Sequence, residues 1–404
     1  MGLLDEKFLK LGAEYAPGQE VRQDTNEVQL RGEIIAGTPV DFSHGDVDAF
    51  EPIPGSLDQF IEGVHIGGKQ AYTEYRGSHS IRENIAHKLA TFTDSTVHAE
   101  RNLIITPGTQ GALFLAMGST VARGDKVAIV VPDYFANRKL VEFFDGEIVP
   151  IQMDYYSTDT CAGIDLTQLE DAFKAGVKLF LFSNPNNPTG VIYSPAEIRV
   201  IAELAQKYGA TVIVDELYSR QIFDERIYTH LCAQHIVDPE NVITIIGPSK
   251  TESLSGYRLG VAFGSAKIIE RMEKLQAIVS LRAGGYSQAV LKSWFSEPEG
   301  WMAERIAQHQ AIRDDLMAKL HAAEGFKVRA TEAGSYLFPR LPQLDVTVND
   351  FVKILRLQAA VTVTPGTEFG PQYTDSFRIN FSQDHRAAVE AIERIIKVVE
   401  GYRK

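Results

Sequence analysis

The chain has 404 residues, of which 44 % are apolar and 23 % charged, and its formal net charge at pH 7 is −13. That length exceeds what a single hydrophobic core usually serves, so we expect a larger and a smaller domain. The composition is that of a globular protein and excludes a disordered or collagen-like chain. The negative charge disfavours nucleic acids and anionic membranes as partners.

Targeting and metal signals are absent from the sequence. No apolar run approaches the roughly 20 residues of a transmembrane helix, and the first ten residues lack the apolar core of a signal peptide, so we expect a cytoplasmic protein. The two cysteines, Cys161 and Cys232, are far apart and lack metal-ligand spacing, so they are expected to be buried thiols outside any disulfide. The ten histidines show no metal spacing either, and no metal is predicted.

The middle of the chain alternates short β-branched runs with helical patterns, which predicts an α/β fold with a mostly parallel sheet covered by helices on both faces. The predicted strands, in chain order, are Leu103–Ile105, Lys126–Val131, Leu179–Ser183, Ala210–Val214 and Val242–Ile246. Between the third and the fourth, Ser194, Pro195 and Glu197 are typical of a capped helix start, and Gly209 ends that helix.

The last third of the chain changes character. It predicts strand and turn over Phe326–Leu341, a helix over Asp350–Gln358, a strand over Phe377–Phe381 and a closing helix that Asp384 caps. We therefore expect a smaller α+β domain at residues 286–404, with the N-terminal segment 1–45 packed against it. Residues 46–285 would form the larger, cofactor-binding domain.

Chemistry-bearing residues follow the predicted strands. Ligands of open parallel sheets bind outside the carboxyl ends of the strands, where Gly108, Tyr134, Asn187, Asp215 and Lys250 are expected. Lys250 follows a strand and Gly-Pro-Ser, and a lysine in such a place can hold a carbonyl cofactor as a Schiff base.

Asp215 ends a strand, where a carboxylate can keep a pyridine nitrogen protonated; the alternative is a helix N-cap. Glu216 beside it is expected to point away into a salt bridge. Tyr218 and Asn187 can both reach the phenolic oxygen of the same ring, although Tyr218 would also suit core packing. Asn187 stands in Asn-Pro-Asn-Asn-Pro-Thr-Gly, whose prolines fix its direction.

Two further positions suit an anionic ligand. Residues 106–112 lead from a strand into a helix, so the amides and hydroxyls around Gly108, Thr109 and Gln110 can cradle a phosphate, to which Arg258 can add its guanidinium. Arg378 is a lone charge on an apolar strand. A substrate carboxylate and a structural Asp or Glu are equally suitable partners for it.

The chain resembles the fold type I pyridoxal-phosphate aminotransferases of class I and II, the group that includes aspartate aminotransferase, from about Phe42 to Phe381. The resemblance rests on Ser-His-Gly-Asp at 43–46, on residues 72–82, 108–112 and 184–190, on Asp-Glu-Leu-Tyr at 215–218, on Ser249-Lys250 with Gly-Tyr-Arg-Leu-Gly at 256–260, on Pro-Gly-Thr at 365–367 and on Arg378.

The resemblance implies that pyridoxal 5'-phosphate is bound by Lys250 as a Schiff base and that Lys250 then moves the proton of the substrate. It implies that Asp215 pairs with the pyridine nitrogen. The other implied cofactor contacts are Tyr218 and Asn187 at the phenolic oxygen, Tyr134 stacked on the ring, and Gly108, Thr109, Gln110, Ser249 and Arg258 near the phosphate.

The remaining implied roles concern the substrate and a partner subunit. Arg378 would bind the α-carboxylate of the substrate, with Gly45 and Asn187 in the same pocket, and Tyr72 would reach the phosphate of the partner, so a homodimer is expected. Arg282 lies near the position where dicarboxylate-specific relatives place a second arginine across the interface. A surface or interface salt bridge is its alternative role.

Two departures from the family pattern stand near Lys250. Gly247 replaces a hydroxyl residue that often contacts the phosphate, so that contact is expected to be missing or replaced by Ser249. Glu252 and Ser253 replace the usual Phe-Gly. These changes leave cofactor binding intact and concern the grouping of substrates.

The sequence therefore predicts a reversible ping-pong transfer of an amino group between an α-amino acid and a 2-oxo acid. A carbon–sulfur β-lyase on the same scaffold is the alternative. A cofactor-binding regulator is disfavoured because no basic DNA-binding segment is present, and a dinucleotide dehydrogenase because no Gly-x-Gly-x-x-Gly follows a strand. His44 either faces the substrate, is structural or is merely exposed.

Overall fold

The computed structural model describes residues 2–11, 28–45, 49–69, 72–157 and 159–404, so Asp46 of the 43–46 motif lies outside the described residues. The strands are β1 Val40–Asp41, β2 Leu103–Pro107, β3 Lys126–Val131, β4 Glu147–Gln152, β5 Leu179–Ser183, β6 Thr211–Asp215, β7 Val242–Ile246, β8 Leu259–Gly264, β9 Tyr336–Leu337, β10 Val361–Thr362, β11 Thr364–Pro365 and β12 Phe377–Asn380. The helices are α1 Leu3–Lys10, α2 Ser56–Gly67, α3 His79–Thr93, α4 Gly108–Thr120, α5 Phe135–Phe143, α6 Leu166–Lys174, α7 Pro195–Tyr208, α8 Ala266–Val279, α9 Gly285–Gln288, α10 Trp301–Ala322, α11 Val348–Ala359 and α12 His385–Glu400.

A seven-stranded sheet forms the centre of the protein, in the order β2-β8-β7-β6-β5-β3-β4. All its neighbouring strands run parallel except β8, which is antiparallel to both β2 and β7. The predicted mostly parallel sheet is confirmed. The sequence reading was wrong in omitting β4 and β8, and it placed β6 one residue too early.

Helices cover both faces of this sheet. Along β3, Ala128 and Val130 face a core that contains α6 and α7, whereas Val127 and Ile129 face a core that contains α4 and α8. This alternation follows from the two-residue period of a strand. Both sides of the sheet are therefore apolar, as the continuous β-branched runs predicted.

The predicted cap of α7 is present and explains where that helix begins. The Ser194 hydroxyl accepts from the Glu197 amide at 3.2 Å, and the Glu197 carboxylate accepts from the Ser194 amide at 2.7 Å. Gly209 then ends the helix in the left-handed conformation, with φ +60°. The chain continues at once into β6, whose last residue is Asp215.

A separate apolar core joins the long helix α10 with α11, α12 and the small strands β9 and β12. Val40 and Phe42 of the N-terminal segment belong to this core, and Val40 pairs in parallel register with Val361. Trp294 packs instead on the core that contains α3. The domain limits at residues 45 and 285 stay a prediction.

Three expectations from composition concern the whole chain. No helix in the described ranges is long and apolar enough to cross a membrane. No group of three or more possible metal ligands forms among those residues. Neither Cys161 nor Cys232 forms a disulfide, but both are half-buried rather than buried as expected.

Candidate active site

The residues singled out from the sequence converge on one cavity of about 240 Å³ at the carboxyl ends of β3, β5, β6 and β7. Strands that run parallel end at the same edge of a sheet, which is why positions far apart in sequence meet there. The predicted residues that line the cavity are Thr109, Gln110, Tyr134, Asn187, Asp215, Tyr218, Ser249, Lys250, Arg258 and Arg378.

Three predicted residues do not line this cavity. Gly108 lies behind Arg258, and Gly45 lies beside the cavity-lining Asn380, to which a Cβ at position 45 would come within 3.5 Å. Tyr72 is 78 % exposed and does not reach the cavity of its own chain. Its ring centroid is 4.5 Å from the guanidinium carbon of Arg282, so these two residues form one surface feature.

The first turn of α4 and Arg258 form the anion-binding end of the cavity. Gly108 begins the helix with φ +80°, and a Cβ there would lie 2.5 Å from Nη2 of Arg258. Only glycine allows both this conformation and this approach. Arg258 also donates through Nη1 to the Ser255 carbonyl at 2.8 Å, which holds its guanidinium in place. The helix N-terminus and the guanidinium together suit a phosphate.

Asp215, the last residue of β6, also lines the cavity. Its Oδ1 accepts from the Leu217 amide at 3.1 Å, but a turn follows, so the carboxylate does not cap a helix. Removal from water raises the pKa of Asp215 to about 6, because burial disfavours the charged form. A cationic N–H partner would lower it again. Glu216 points away, as expected, and pairs with His230 at 2.6 Å.

Tyr218 and Asn187 line the same cavity. The Tyr218 hydroxyl donates to the Tyr336 hydroxyl at 2.8 Å, and it retains lone pairs for another donor. The Asn187 side-chain oxygen accepts from Arg378 at 3.1 Å, which leaves the Nδ2 group as a donor. Core packing alone does not describe Tyr218, since it also lines the cavity.

Arg378 is buried on β12 between the Tyr336 and Phe369 rings, whose centroids lie 4.5 and 4.9 Å from its guanidinium carbon. Besides Asn187, it donates to the Ser43 carbonyl at 2.5 Å. Its partners are neutral, and within the described ranges no Asp or Glu pairs with it. A buried guanidinium with neutral partners is suited to an external carboxylate.

Lys250 is half-buried in the turn after β7 and lines the cavity. Its carbonyl accepts from the Ser253 amide at 3.0 Å, and the Pro248 carbonyl accepts from the Leu254 amide at 3.2 Å, so the turn is closed on itself. Among the described residues its ε-amine has no hydrogen-bond or ion-pair partner. The amine is therefore available to a ligand.

Sequence reasoning missed several residues that support or line the site. Asp133, buried behind Tyr134, accepts from the Tyr134 amide at 2.7 Å, the Ser183 amide at 3.1 Å and the Ser183 hydroxyl, and burial raises its pKa to about 8. Ser183 Oγ in turn accepts from the Asn187 amide at 3.1 Å. Asp133 followed a predicted strand and preceded Tyr134, which was a usable signal; Ser183 had none.

Two other lining residues are Tyr336 and His44. Tyr336 comes from the small strand β9 and had no chemical motif around it. His44 stands next to Gly45 in the 43–46 motif; it lines the cavity, and its side chain is 63 % exposed. Its ring lies 3.2 Å from the Ser43 hydroxyl and 3.4 Å from the Asp41 carboxylate.

The departures near Lys250 have structural counterparts. A Cβ at Gly247 would lie 2.7 Å from Cγ2 of Thr109, so this glycine makes room for the threonine. Ser249 lines the cavity and donates to the Leu259 carbonyl at 3.4 Å. Glu252 is buried and binds Arg220 at 2.5 Å, and Ser253 adopts φ +55°.

The cavity residues fit a phosphorylated pyridine aldehyde. Among the described residues that line it, the cavity has three basic side chains, Lys250, Arg258 and Arg378, and one carboxylate, Asp215. That charge pattern suits a phosphorylated ring with a protonated nitrogen, bound together with a second ligand that carries a carboxylate. The glycine cradle at Gly108, which a Cβ would fill, leaves the guanidinium next to the helix N-terminus for the phosphate.

Comparisons with known proteins point the same way. The family model for aminotransferase class I and II matches residues 40–395. An aspartate aminotransferase of Rhodobacter sphaeroides has a solved structure with 64 % identity and a TM-score of 0.93, covering 99 % of this chain and 100 % of that one. An aspartate aminotransferase of Sulfolobus acidocaldarius is 28 % identical over 82 % of this chain and 83 % of its own length.

A solved structure with lower sequence identity shares the fold of this chain. The alanine aminotransferase of Pyrococcus furiosus has 22 % identity and a TM-score of 0.84, covering 98 % of this chain and 99 % of that one. That enzyme is named for alanine rather than aspartate although it has the same fold, so the fold by itself does not identify the substrate.

Proposed function

Because this chain belongs to the class I and II aminotransferases, we propose that it transfers the amino group of aspartate to a 2-oxo acid through a cofactor bound covalently at Lys250. That the chain is an aminotransferase dependent on pyridoxal phosphate follows from the family and its relatives. The amino acid, the roles of individual residues and the assembly are the proposal. The match does not favour the carbon–sulfur lyase alternative.

The observation that carries the proposal is the placement of a lysine amine that has no partner among the described residues, in a cavity that those residues line with one carboxylate and two guanidiniums. When bound there, pyridoxal phosphate supplies a ring that withdraws electrons from the bond to the substrate α-hydrogen. Arg258 and the amides at the start of α4 would hold the phosphate, and Asp215 would keep the proton on the ring nitrogen.

The other residues would act on the substrate. Arg378 would bind the α-carboxylate with its free guanidinium edge, and its contact with Asn187 would orient the amide toward the phenolic oxygen of the ring. The Lys250 amine, once released, would take the proton from the substrate α-carbon and return it to the cofactor side. Two such half-reactions in succession give a ping-pong order.

Aspartate carries a second carboxylate, and Arg282 is our candidate to bind it in a partner subunit. Arg282 stacks on Tyr72 and donates to the Thr73 carbonyl at 2.6 Å, which ties both side chains to one surface. If Tyr72 reaches the phosphate of a partner, Arg282 must lie close to the same partner cavity. A homodimer is thus part of the proposal, and a cytoplasmic location stays a prediction that cell fractionation can check.

The proposal is tested in two steps on the purified protein. Borohydride reduction after incubation with pyridoxal phosphate, followed by peptide mass analysis, should locate the cofactor on Lys250; no label there would overturn the covalent role. A stopped-flow absorbance screen of amino acids should then show the fastest half-reaction with aspartate. A faster reaction with alanine or an aromatic amino acid would overturn the substrate.

The role of Arg282 has its own test. The charge reversal Arg282→Glu should lower kcat/KM for aspartate about 100-fold while changing that for alanine little, because only aspartate presents the second carboxylate. Lys274→Glu is the control, since Lys274 lies on α8 and pairs only with Glu270, at 2.7 Å. Unchanged kinetics with aspartate in Arg282→Glu would assign the residue to the interface alone.

A further inference from the structure

Arg305 of α10 connects the turn that carries Lys250 with the segment around Glu51, and it does so from a buried position, with 4 % of its surface exposed. Its Nη1 donates to the Thr251 carbonyl at 3.0 Å and to the Ser253 hydroxyl at 2.9 Å. Its Nη2 donates to the Glu51 carbonyl at 2.5 Å. The first two acceptors belong to the turn that carries Lys250, and the third to the segment that follows Gly45.

The site around this guanidinium suits arginine and no other residue. The Phe50 and Trp301 rings lie on it at 5.1 and 4.7 Å from the guanidinium carbon to the ring centroids, and its three acceptors are all neutral. Lysine would keep the charge but lacks the planar fork that reaches three acceptors and stacks on rings.

Ser253 is the strained point of the Lys250 turn. It adopts φ +55°, a left-handed conformation that costs a non-glycine residue free energy. Such a conformation persists only where surrounding contacts determine it. Here the Ser253 amide donates to the Lys250 carbonyl at 3.0 Å, and its hydroxyl receives the hydrogen bond from Arg305.

The neighbouring Glu252 secures the same turn from its other side. Its carboxylate accepts from Arg220 at 2.5 Å and from the Trp294 ring nitrogen at 3.2 Å, and its carbonyl accepts from the Ile53 amide at 2.9 Å. The last bond is a second link between the Lys250 turn and the segment after Gly45. It also places a buried negative charge near Arg305.

We propose that Arg305 is a positioning residue that, through Ser253, fixes the Lys250 turn against the segment following Gly45 and so places the lysine amine for attack on the cofactor aldehyde. The inference rests on the proposed covalent role of Lys250. It assigns to Arg305 no contact with cofactor or substrate. Its effect is to remove alternative conformations of the turn before the cofactor arrives.

The test measures the rate at which pyridoxal phosphate becomes attached to cofactor-free protein, followed by absorbance. Ser253→Gly keeps the left-handed backbone available but removes the hydroxyl, and it should slow attachment about three- to tenfold, the loss of one hydrogen bond to a charged donor. Arg305→Lys should slow it more than tenfold. In both variants kcat should fall more than KM changes.

Asp94→Gly is the matched control, because Asp94 is also left-handed, with φ +46°, and lies exposed at the end of α3 away from the cavity. It should attach the cofactor at the wild-type rate, and neither glycine variant should lower the melting temperature. Equal attachment rates in Ser253→Gly and Asp94→Gly would overturn the inference while leaving the proposed function standing. A wild type that forms no borohydride-stable link at Lys250 would overturn both.

Discussion

Position 108 must adopt a left-handed backbone and must leave room for Arg258, and the substitution Gly108→Ala tests both requirements. The backbone there has φ +80°, and an added Cβ would lie 2.5 Å from Nη2 and 3.2 Å from the guanidinium carbon of Arg258. The nitrogen would be roughly 0.9 Å inside the separation at which ordinary van der Waals contact begins. Arg258 must therefore withdraw from the start of α4, and the phosphate loses its guanidinium.

The magnitude has two parts. A left-handed alanine costs about 1 kcal/mol of folding free energy relative to glycine. Loss of a charge-assisted hydrogen bond to the phosphate costs a further ~1.5–3 kcal/mol of binding free energy, which raises the Kd for pyridoxal phosphate about 10- to 100-fold. Gly124→Ala is the control, since Gly124 has φ +83° and no atom within 4 Å of its would-be Cβ.

Fluorescence titration of cofactor-free protein gives the Kd, and urea unfolding gives the free energy of unfolding for each variant. Both variants should lose similar stability, but only Gly108→Ala should bind pyridoxal phosphate more weakly. Equal cofactor affinity in the two variants would refute the reasoning, because it would mean that Arg258 does not hold the phosphate or can do so from elsewhere.

The remaining predictions concern the rest of the cavity. Burial raises the pKa of Asp215 from 3.8 to about 6, so in cofactor-free protein its contribution to stability is full below pH ~4 and is lost as pH rises through 6. The free energy of unfolding of Asp215→Asn, measured in urea, should therefore rise relative to that of the wild type by at most ~3 kcal/mol between pH 4 and pH 7. Arg378→Lys should lower kcat/KM for aspartate about 100-fold with an unchanged Kd for pyridoxal phosphate, because an ammonium cannot replace a bidentate guanidinium. Tyr218→Phe and Tyr336→Phe, whose hydroxyls are 2.8 Å apart, should show a coupling of about 1 kcal/mol in a double-mutant cycle on kcat/KM, and additivity would contradict a shared role.

The two strands that the sequence did not reveal differ from the others for physical reasons. β4 is an edge strand with Pro150 in its middle, and proline is tolerated there because no neighbour needs its missing N–H. β8 contains two glycines and few β-branched residues, so it resembles a loop. A Cβ at Gly260 would lie 2.3 Å from the Gly108 carbonyl carbon, and one at Gly264 would lie 2.1 Å from the Val242 carbonyl oxygen. The glycines are there for close packing, which no local pattern expresses.

The cavity was easier to predict than the sheet, because its residues follow strands whose ends share one edge. Lys250, Asp215 and Asn187 needed only that rule and the chemistry of their side chains. Tyr336 lies on β9 and Arg305 on α10, and both reach the cavity region through packing between distant segments. A single sequence does not show such contacts. The residues that would carry out the chemistry could therefore be predicted, whereas the residues that support the site were missed.

Gly247 shows how a departure from a family pattern is resolved in three dimensions. A hydroxyl residue at 247 would place its Cβ only 2.7 Å from Cγ2 of Thr109. The two side chains exclude each other unless one of them shifts, because Gly260 of β8 lies close both to Gly108 at the start of α4 and to Gly247. The hydroxyl that can serve a phosphate at this place is therefore that of Thr109, one residue into the helix, beside Ser249 on the cavity wall. The glycine at 247 therefore need not cost the phosphate a hydroxyl contact, because the fold leaves room for such a hydroxyl either at position 247 or at Thr109.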